Sequence, residues 1–198
     1  MKWDIDLDET FISDLEDLII NSVKAGFYSN EEILEECMEM LEFEYDETNI
    51  TDNDILNIIE QARNEYENIG NEKVYHTLNK VFDDLTDKGI IALHYAGYSQ
   101  QDGFSDCNEE ACERKQTNEN VIGCCFYTMQ DLKRILDEKG HLYLSFGSYS
   151  DEYTTVDIGK IIVKELSAAG FNTEWNETEK EKISIKDIKW DKQYNENE

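Results

Sequence analysis

The sequence contains no proline and has few basic residues for its length. Its 198 residues include 18 lysines and arginines against 46 aspartates and glutamates, which gives a formal net charge of −28. The absence of proline excludes a proline-rich linker or ligand segment, so glycine, asparagine and aspartate must form the turns. The shortage of cations argues against direct binding of nucleic acid, because each phosphate contact needs a nearby positive charge.

Long apolar runs are absent as well. No stretch approaches the roughly 20 apolar residues that a membrane-spanning helix needs. The first ten residues, MKWDIDLDET, lack the basic and apolar regions of a signal peptide. The five cysteines form an odd set, and without a secretory signal reduced thiols are expected. These features predict a cytoplasmic protein that does not bind membranes.

Apolar and aromatic residues are frequent enough to form a core. The chain has 11 tyrosines, eight phenylalanines and three tryptophans. Its combined content of leucine, isoleucine, valine and phenylalanine lies above that of disordered chains. A chain of this length can form one domain, or a small helical domain followed by a second one.

Residues 1–70 are predicted to form an acidic helical region. Apolar residues recur at helical spacing in three segments. Ser29 with Glu32, and Thr51 with Asp54, have the spacing of capping boxes at the starts of the second and third helices. All these helices are amphipathic, so each must pack against another element.

Residues 71–190 are predicted to form an α+β domain, and residues 191–198 a polar tail. A fourth helix precedes strand-like segments at residues 89–96, 121–128, 141–148, 172–175 and 182–190. Helical segments at 129–139 and 156–169 alternate with these strands. The alternation predicts a mixed, mostly parallel sheet of about five strands. The half-polar pattern of residues 141–148 predicts helices on one face of that sheet.

The acidic residues are concentrated in the first third of the chain. Residues 1–70 hold 21 acidic and three basic residues, a net charge of −18, whereas the other 128 residues hold 25 and 15, a net of −10. The polar side of the second predicted helix carries Glu31, Glu32, Glu35, Glu36, Glu39 and Glu42. This side is either a solvated face that keeps the protein soluble or a surface that captures a basic protein in a salt-sensitive way.

Motifs for metal or nucleophilic chemistry are incomplete. The alternating aspartates that end at Asp8 begin like a calcium loop, but the glycine and the final glutamate of such a loop are missing. The cysteines lack zinc-ribbon spacing, and Cys124 and Cys125 would point to opposite faces of a strand. A nucleophilic pair of Cys125 and His94 across neighbouring strands stays open. No metal and no cofactor are expected.

Polar side chains follow the predicted strands at their C-terminal ends. In a parallel sheet these ends meet at one edge, where open sheets usually hold ligands. The candidate ligand residues at that edge are Asp102, Tyr127, Gln130, Asp131 and Ser148. Turn formation and helix capping explain the same residues, so both interpretations stay open.

Several segments share a pattern with a known family. They are residues 89–103 (GIIALHYAGYSQQDG), 125–132 (CFYTMQDL), 142–147 (LYLSFG), 158–171 (IGKIIVKELSAAGF), 173–176 (TEWN) and a terminal segment, 183–190, that ends in tryptophan. On these segments the chain resembles a bacterial family of uncharacterised proteins, known as a domain of unknown function. Glu177 stands where the family pattern has a turn glycine. The resemblance spans roughly residues 71–190 and implies the domain boundaries but no activity.

The sequence favours an acidic, non-enzymatic protein that captures or inhibits a basic protein partner. Such a role would be that of an immunity-like inhibitor in bacterial conflict or phage defence. A small-molecule-binding or enzymatic α+β domain that uses the strand-end residues is the alternative, and a structural adaptor is a third interpretation. The oligomeric state is left open.

Overall fold

The computed structural model describes residues 8–45, 49–66, 72–117, 119–136 and 140–196. The chain divides into an N-terminal unit, Met1–Glu72 with Asp191–Glu198, and a C-terminal unit, Lys73–Trp190. The N-terminal unit has 25 acidic and four basic residues, a net charge of −21, and the C-terminal unit has 21 and 14, a net of −7. Three quarters of the net charge therefore belong to the smaller unit.

Three amphipathic helices make up the described core of the N-terminal unit: α1 (Glu9–Ala25), α2 (Asn30–Glu44) and α3 (Asp52–Tyr66). The predicted capping box of Ser29 and Glu32 is present at the start of α2. At the start of α3, the amide and hydroxyl groups of Thr51 donate to the Asp54 carboxylate. The apolar sides of the helices form one core that includes Leu15, Ile33, Cys37, Ile55 and Ile59.

Residues 191–196, in the segment predicted as a polar tail, belong to this N-terminal unit. The amide of Gln193 donates to the Glu72 carboxylate at 2.8 Å, and Lys192 is only 4% exposed. The carbonyl oxygen of Lys192 lies so close to Gly26 that a Cβ atom there would approach it to 2.5 Å. Gly26 also has a left-handed φ of 75°, so glycine is required at the end of α1.

The described part of the C-terminal unit contains four helices and five strands. They are α4 (Lys73–Thr86), β1 (Ile90–Leu93), α5 (Gln100–Gln116), β2 (Gly123–Phe126), α6 (Met129–Leu136), β3 (Leu142–Ser148), α7 (Thr155–Ala168), β4 (Thr173–Glu174) and β5 (Ile183–Ile185). The strands form one sheet in the order β1-β2-β3-β5-β4. The predicted α+β class is confirmed. None of the helices in the described ranges is both long and apolar enough to cross a membrane.

The sheet is mostly antiparallel, so the prediction of a mostly parallel sheet is wrong. Only β1 and β2 pair in parallel among the described strands, whereas the β2–β3, β3–β5 and β4–β5 pairs are antiparallel. Residues 127–141 connect β2 to β3. This connection is long enough for β3 to run either parallel or antiparallel to β2. The alternation of strands and helices along the chain therefore does not decide the direction of β3.

Helices cover both faces of the sheet, which differs from the predicted arrangement with helices on one face. Successive strand residues point to opposite faces. Phe126 packs against α5 at Gly103, whereas Gly123, on the opposite face, lies against Ile158 of α7. The half-polar pattern of β3 does not mark an open face, because Ser145 is only 1% exposed.

Helix α5 is the element that apolar spacing does not predict. Its buried residues are Gly103, Cys107 and Ala111, which are too small to form a recognisable apolar stripe. Its start does carry a local signal, because Ser99 and Asp102 form a capping box. The small residues let α5 approach the sheet closely.

Candidate functional site

The acidic face of α2 consists of the six glutamates Glu31, Glu32, Glu35, Glu36, Glu39 and Glu42. Five of them are exposed and Glu36 is partly buried. The opposite side of the helix buries Ile33, Cys37 and Leu41, so helical periodicity places most of the carboxylates toward solvent.

The described lysines and arginines do not compensate the acidic face. None of them forms an ion pair with any of its six glutamates. Arg63 of α3 lies near the start of α2, but it donates to the Asn30 side chain and to the Tyr28 carbonyl oxygen. The acidic face therefore projects a negative potential that α2 itself cannot neutralise.

Glu36 is the glutamate of the acidic face whose ionisation is opposed by its surroundings. Burial raises the pKa of its carboxyl group above the ordinary value, and the carboxylates of Glu39 and Glu32 raise the pKa further. Ionised Glu36 is thus disfavoured in the folded state.

We predict that Glu36→Gln stabilises the N-terminal unit at neutral pH. Two like-charge contacts, with Glu32 and Glu39, disappear, which is worth about 0.4–1 kcal/mol. Because the pKa of Glu36 is higher in the folded than in the unfolded chain, the cost is absent below its ordinary pKa and develops as the pH rises through the folded-state value. Denaturant unfolding at pH 7 and pH 3.5 measures this, and equal stabilisation at both would contradict it.

Glu31→Gln provides the matched control for that variant. Glu31 lies in the first turn of α2, where the helix dipole favours a negative charge. We expect no stabilisation at pH 7 from this substitution, although it changes the net charge by the same amount.

Phe43 is a feature of this helix that the sequence reasoning missed. It directly follows Glu42, and 92% of its side chain is exposed. Its place outside the buried stripe of α2 is the signal that could have revealed it. Aromatic residues, phenylalanine among them, are enriched in the cores of protein–protein interfaces.

The structure divides the predicted strand-end site between two edges of the sheet. Residues that follow the parallel strands β1 and β2 are held together, because the Ala96 amide donates to the Tyr127 carbonyl oxygen at 2.9 Å and the Met129 amide to that of Gly97 at 3.1 Å. Ser148 instead pairs with Gly123 at the start of β2. The antiparallel direction of β3 thus takes Ser148 to the other edge.

Capping and packing occupy most of these side chains. Asp102 accepts hydrogen bonds from the amide and hydroxyl groups of Ser99, which lower its pKa. Tyr127 is fully buried, and burial raises its pKa well above the usual range. The Ser148 hydroxyl donates to the Tyr153 carbonyl oxygen at 2.6 Å, while Gln130 is exposed.

Asp131 is the buried centre of a polar network. It is 1% exposed and accepts a hydrogen bond from the Thr128 hydroxyl at 2.9 Å. The Lys182 ammonium lies 2.8 Å and 3.0 Å from its two oxygens, and Arg134 donates to it at 3.2 Å. This carboxylate joins α6 to the chain just before β5, a connection that sequence spacing does not reveal.

His94 lies beside Tyr127, whereas the β1 residue that pairs with Cys125 is Ala92. Its Nδ1 atom is 2.9 Å from the Tyr127 hydroxyl, and its ring stacks on Phe82 with 4.3 Å between centroids. Cys125 is fully buried, and burial raises the pKa of its thiol well above the usual range. A thiolate nucleophile is therefore strongly disfavoured at Cys125.

Metal-binding groups do not converge in the parts of the chain that the structure describes, where no cluster of three His, Cys, Asp or Glu residues could hold an ion. Cys107 and Cys124 are buried, whereas Cys112 is exposed. Asp8 caps α1 by accepting from the amides of Thr10 and Phe11. The earlier aspartates of the calcium-like alternation lie outside the described residues.

These features define a class of protein: an acidic helical unit combined with an α+β unit whose five-stranded sheet is mostly antiparallel. The chain belongs to the family described as Domain of unknown function (DUF6891), whose model matches residues 8–194. The match confirms the resemblance to an uncharacterised family and extends it over the N-terminal helices. No curated protein and no solved structure matches the chain.

The glycines of the shared pattern have packing roles. Gly97 has a left-handed φ of 57°, and a Cβ atom on it would come within 2.4 Å of Asp102. A Cβ atom on Gly103 would meet the Phe126 ring. Glu177, which replaces the pattern's turn glycine, has a φ of 58°, so this position also requires the left-handed conformation that glycine adopts most easily.

Proposed function

We propose that this protein captures a basic protein partner through the acidic face of α2, as an immunity-like or anti-defence-like inhibitor. The observation that carries the proposal is the combination of an uncompensated acidic face with the exposed aromatic side chain of Phe43. A face kept only for solubility carries few exposed phenylalanines, whereas aromatic residues are enriched in the cores of interfaces.

The two parts of this surface would act at different stages of binding. The carboxylates attract a cationic partner and raise the association rate, an effect that salt weakens. Phe43 would bury apolar area in the complex and so slow dissociation. The strand-end residues of the C-terminal unit support a binding role less well, because capping and the Asp131 network already occupy them.

The spacing of the carboxylates favours a partner that normally binds a nucleic acid. From Glu31 to Glu42 the helix rises about 17 Å, so its six carboxylates are about 3 Å apart along the axis on average, with single steps of about 1.5 or 4.5 Å. Successive phosphates on one DNA strand are about 3.4 Å apart along the axis. A basic nuclease, toxin or DNA-binding protein would meet a similar density of negative charge on α2.

We predict that Glu35→Lys/Glu39→Lys weakens binding of the partner at least tenfold, or about 1.4 kcal/mol. Cationic proteins captured from a bacterial lysate at low salt are identified, and each is then purified and titrated against the variants. Phe43→Ala should mainly speed dissociation, since it leaves every charge in place.

Glu109→Lys/Glu113→Lys is the matched control. These two exposed glutamates are also four residues apart on one helix, α5, so the variant changes the net charge equally but at a different surface. It should bind the partner as the unaltered protein does. The proposal would be refuted if both double variants weakened binding of the partner equally, or if no cationic partner were found.

A further inference from the structure

A cleft of about 540 Å³ opens in the C-terminal unit. It lies between the start of α4, the turn after α7 and the segment after β5, and no residue of the predicted strand-end site lines it. Its volume is within the range of clefts that hold small molecules.

Three lysines line this cleft: Lys73, Lys186 and Lys189. Lys73 is more than 100 residues away from the other two in a chain with a net charge of −28. Asp187 is the one carboxylate in the lining, and Lys186 also pairs with Glu174, which is not in the lining. These five charged groups sum to +1, so the cleft is locally positive in a unit with a net charge of −7.

Two of the lysines are not ion-paired within the described residues. Lys73 and Lys189 are exposed, and neither forms an ion pair with any residue in the described part of the chain. Their ammonium groups are therefore available to an anion that enters the cleft.

The lining also provides apolar surface and a fixed backbone. Val74, Phe171 and Ile188 contribute apolar walls. The Lys186 amide donates to the Asn172 carbonyl oxygen at 2.7 Å, and the left-handed φ of 53° at Asp187 turns the chain there. As a result, four consecutive residues from Lys186 onward line the cleft, which an extended strand would not allow.

We propose that this cleft binds a small phosphate-bearing molecule with an apolar portion, of the size of a mononucleotide. A phosphomonoester carries about −1.5 to −2 charges at pH 7, and lysine binds phosphate as a compact point charge from several directions. The apolar walls would contact a ring or chain attached to the phosphate, as in most small-molecule sites. This site is independent of the acidic face and of its proposed partner.

Isothermal titration calorimetry on the full chain tests the proposal with adenosine 5′-monophosphate, adenosine and inorganic phosphate as probes. The nucleotide should bind saturably and at least tenfold more tightly than adenosine, and inorganic phosphate should compete with it. Lys73→Ala/Lys189→Ala should weaken nucleotide binding at least tenfold. Because a cation in the first turn opposes the helix dipole, removing Lys73 should not destabilise α4.

Lys80→Ala/Lys164→Ala is the matched control. Both lysines are exposed, belong to the same unit and lie outside the cleft lining, so the change in net charge is identical. Nucleotide binding should survive in this variant. Absence of binding to the nucleotide and to phosphate, equal binding of adenosine, or an equal loss in both double variants would overturn the proposal.

Discussion

Asp131→Ala is expected to destabilise the C-terminal unit by about 2–4 kcal/mol. The variant removes the carboxylate that faces the Lys182 ammonium at 2.8 Å and the Thr128 hydroxyl at 2.9 Å. A charged group then remains in a mostly buried environment without its partner, which costs more than the lost attraction. The value lies below that for fully buried pairs because the Lys182 side chain is 25% exposed.

The test is denaturant unfolding of Asp131→Ala beside Asp102→Ala. Asp102 has the same capping geometry, with Ser99 as its partner, but is exposed and has no described ion pair. Its loss should cost only about 1 kcal/mol. In a double-mutant cycle, adding Lys182→Met should recover part of the Asp131→Ala cost. If Asp131→Ala is as stable as Asp102→Ala, the network does not hold α6 in place.

Gly103→Ala is expected to destabilise the same unit by about 1–3 kcal/mol. Within a helix, alanine is normally more favourable than glycine by about 1 kcal/mol. The expected change in stability is therefore opposite to the one that helix propensity predicts. An added Cβ atom would lie 2.2 Å and 2.6 Å from two atoms of the Phe126 ring and 3.0 Å from the Ala96 carbonyl oxygen. Phe126 is fully buried and meets Phe104 edge-on at 4.9 Å, so its ring has little room to move.

The double variant Gly103→Ala/Phe126→Leu separates this overlap from other effects. Leucine lacks Cε2, the ring atom that the new methyl group would approach most closely at 2.2 Å, so the cost of Gly103→Ala should be smaller in that background. Thermal unfolding of the four proteins in the cycle measures the difference. A Gly103→Ala protein more stable than the unaltered one would show that α5 does not press against β2 at this point.

Both residues belong to the segments that carry the family pattern. Asp131 lies in CFYTMQDL, and Gly103 ends the stretch that begins at residue 89. Their contacts assemble the α+β unit. The acidic face with Phe43 lies outside the segments that carry the pattern, whereas Lys186 and Lys189 of the cleft lie in the terminal segment, residues 183–190.

Local patterns predicted much of the secondary structure. The capping box at α2 and the contacts of Thr51 with Asp54 at the start of α3 were predictable because each depends on residues three positions apart. The first four helices, α1 to α4, and the strands follow from the spacing of apolar residues. Helix α5 was not predictable in this way, since its buried residues are small.

The sequence by itself determined the α+β class, the helix starts and the concentration of negative charge on α2, because these depend on composition and on near neighbours in the chain. Only the tertiary structure decided the antiparallel direction of β3 and the separation of Ser148 from the other strand-end residues. It also decided the contact between Asp131 and Lys182, which are 51 residues apart, and the cleft shared by Lys73 and Lys189. The physical reason is that packing and strand pairing join segments distant in sequence, and no local pattern specifies which segments meet.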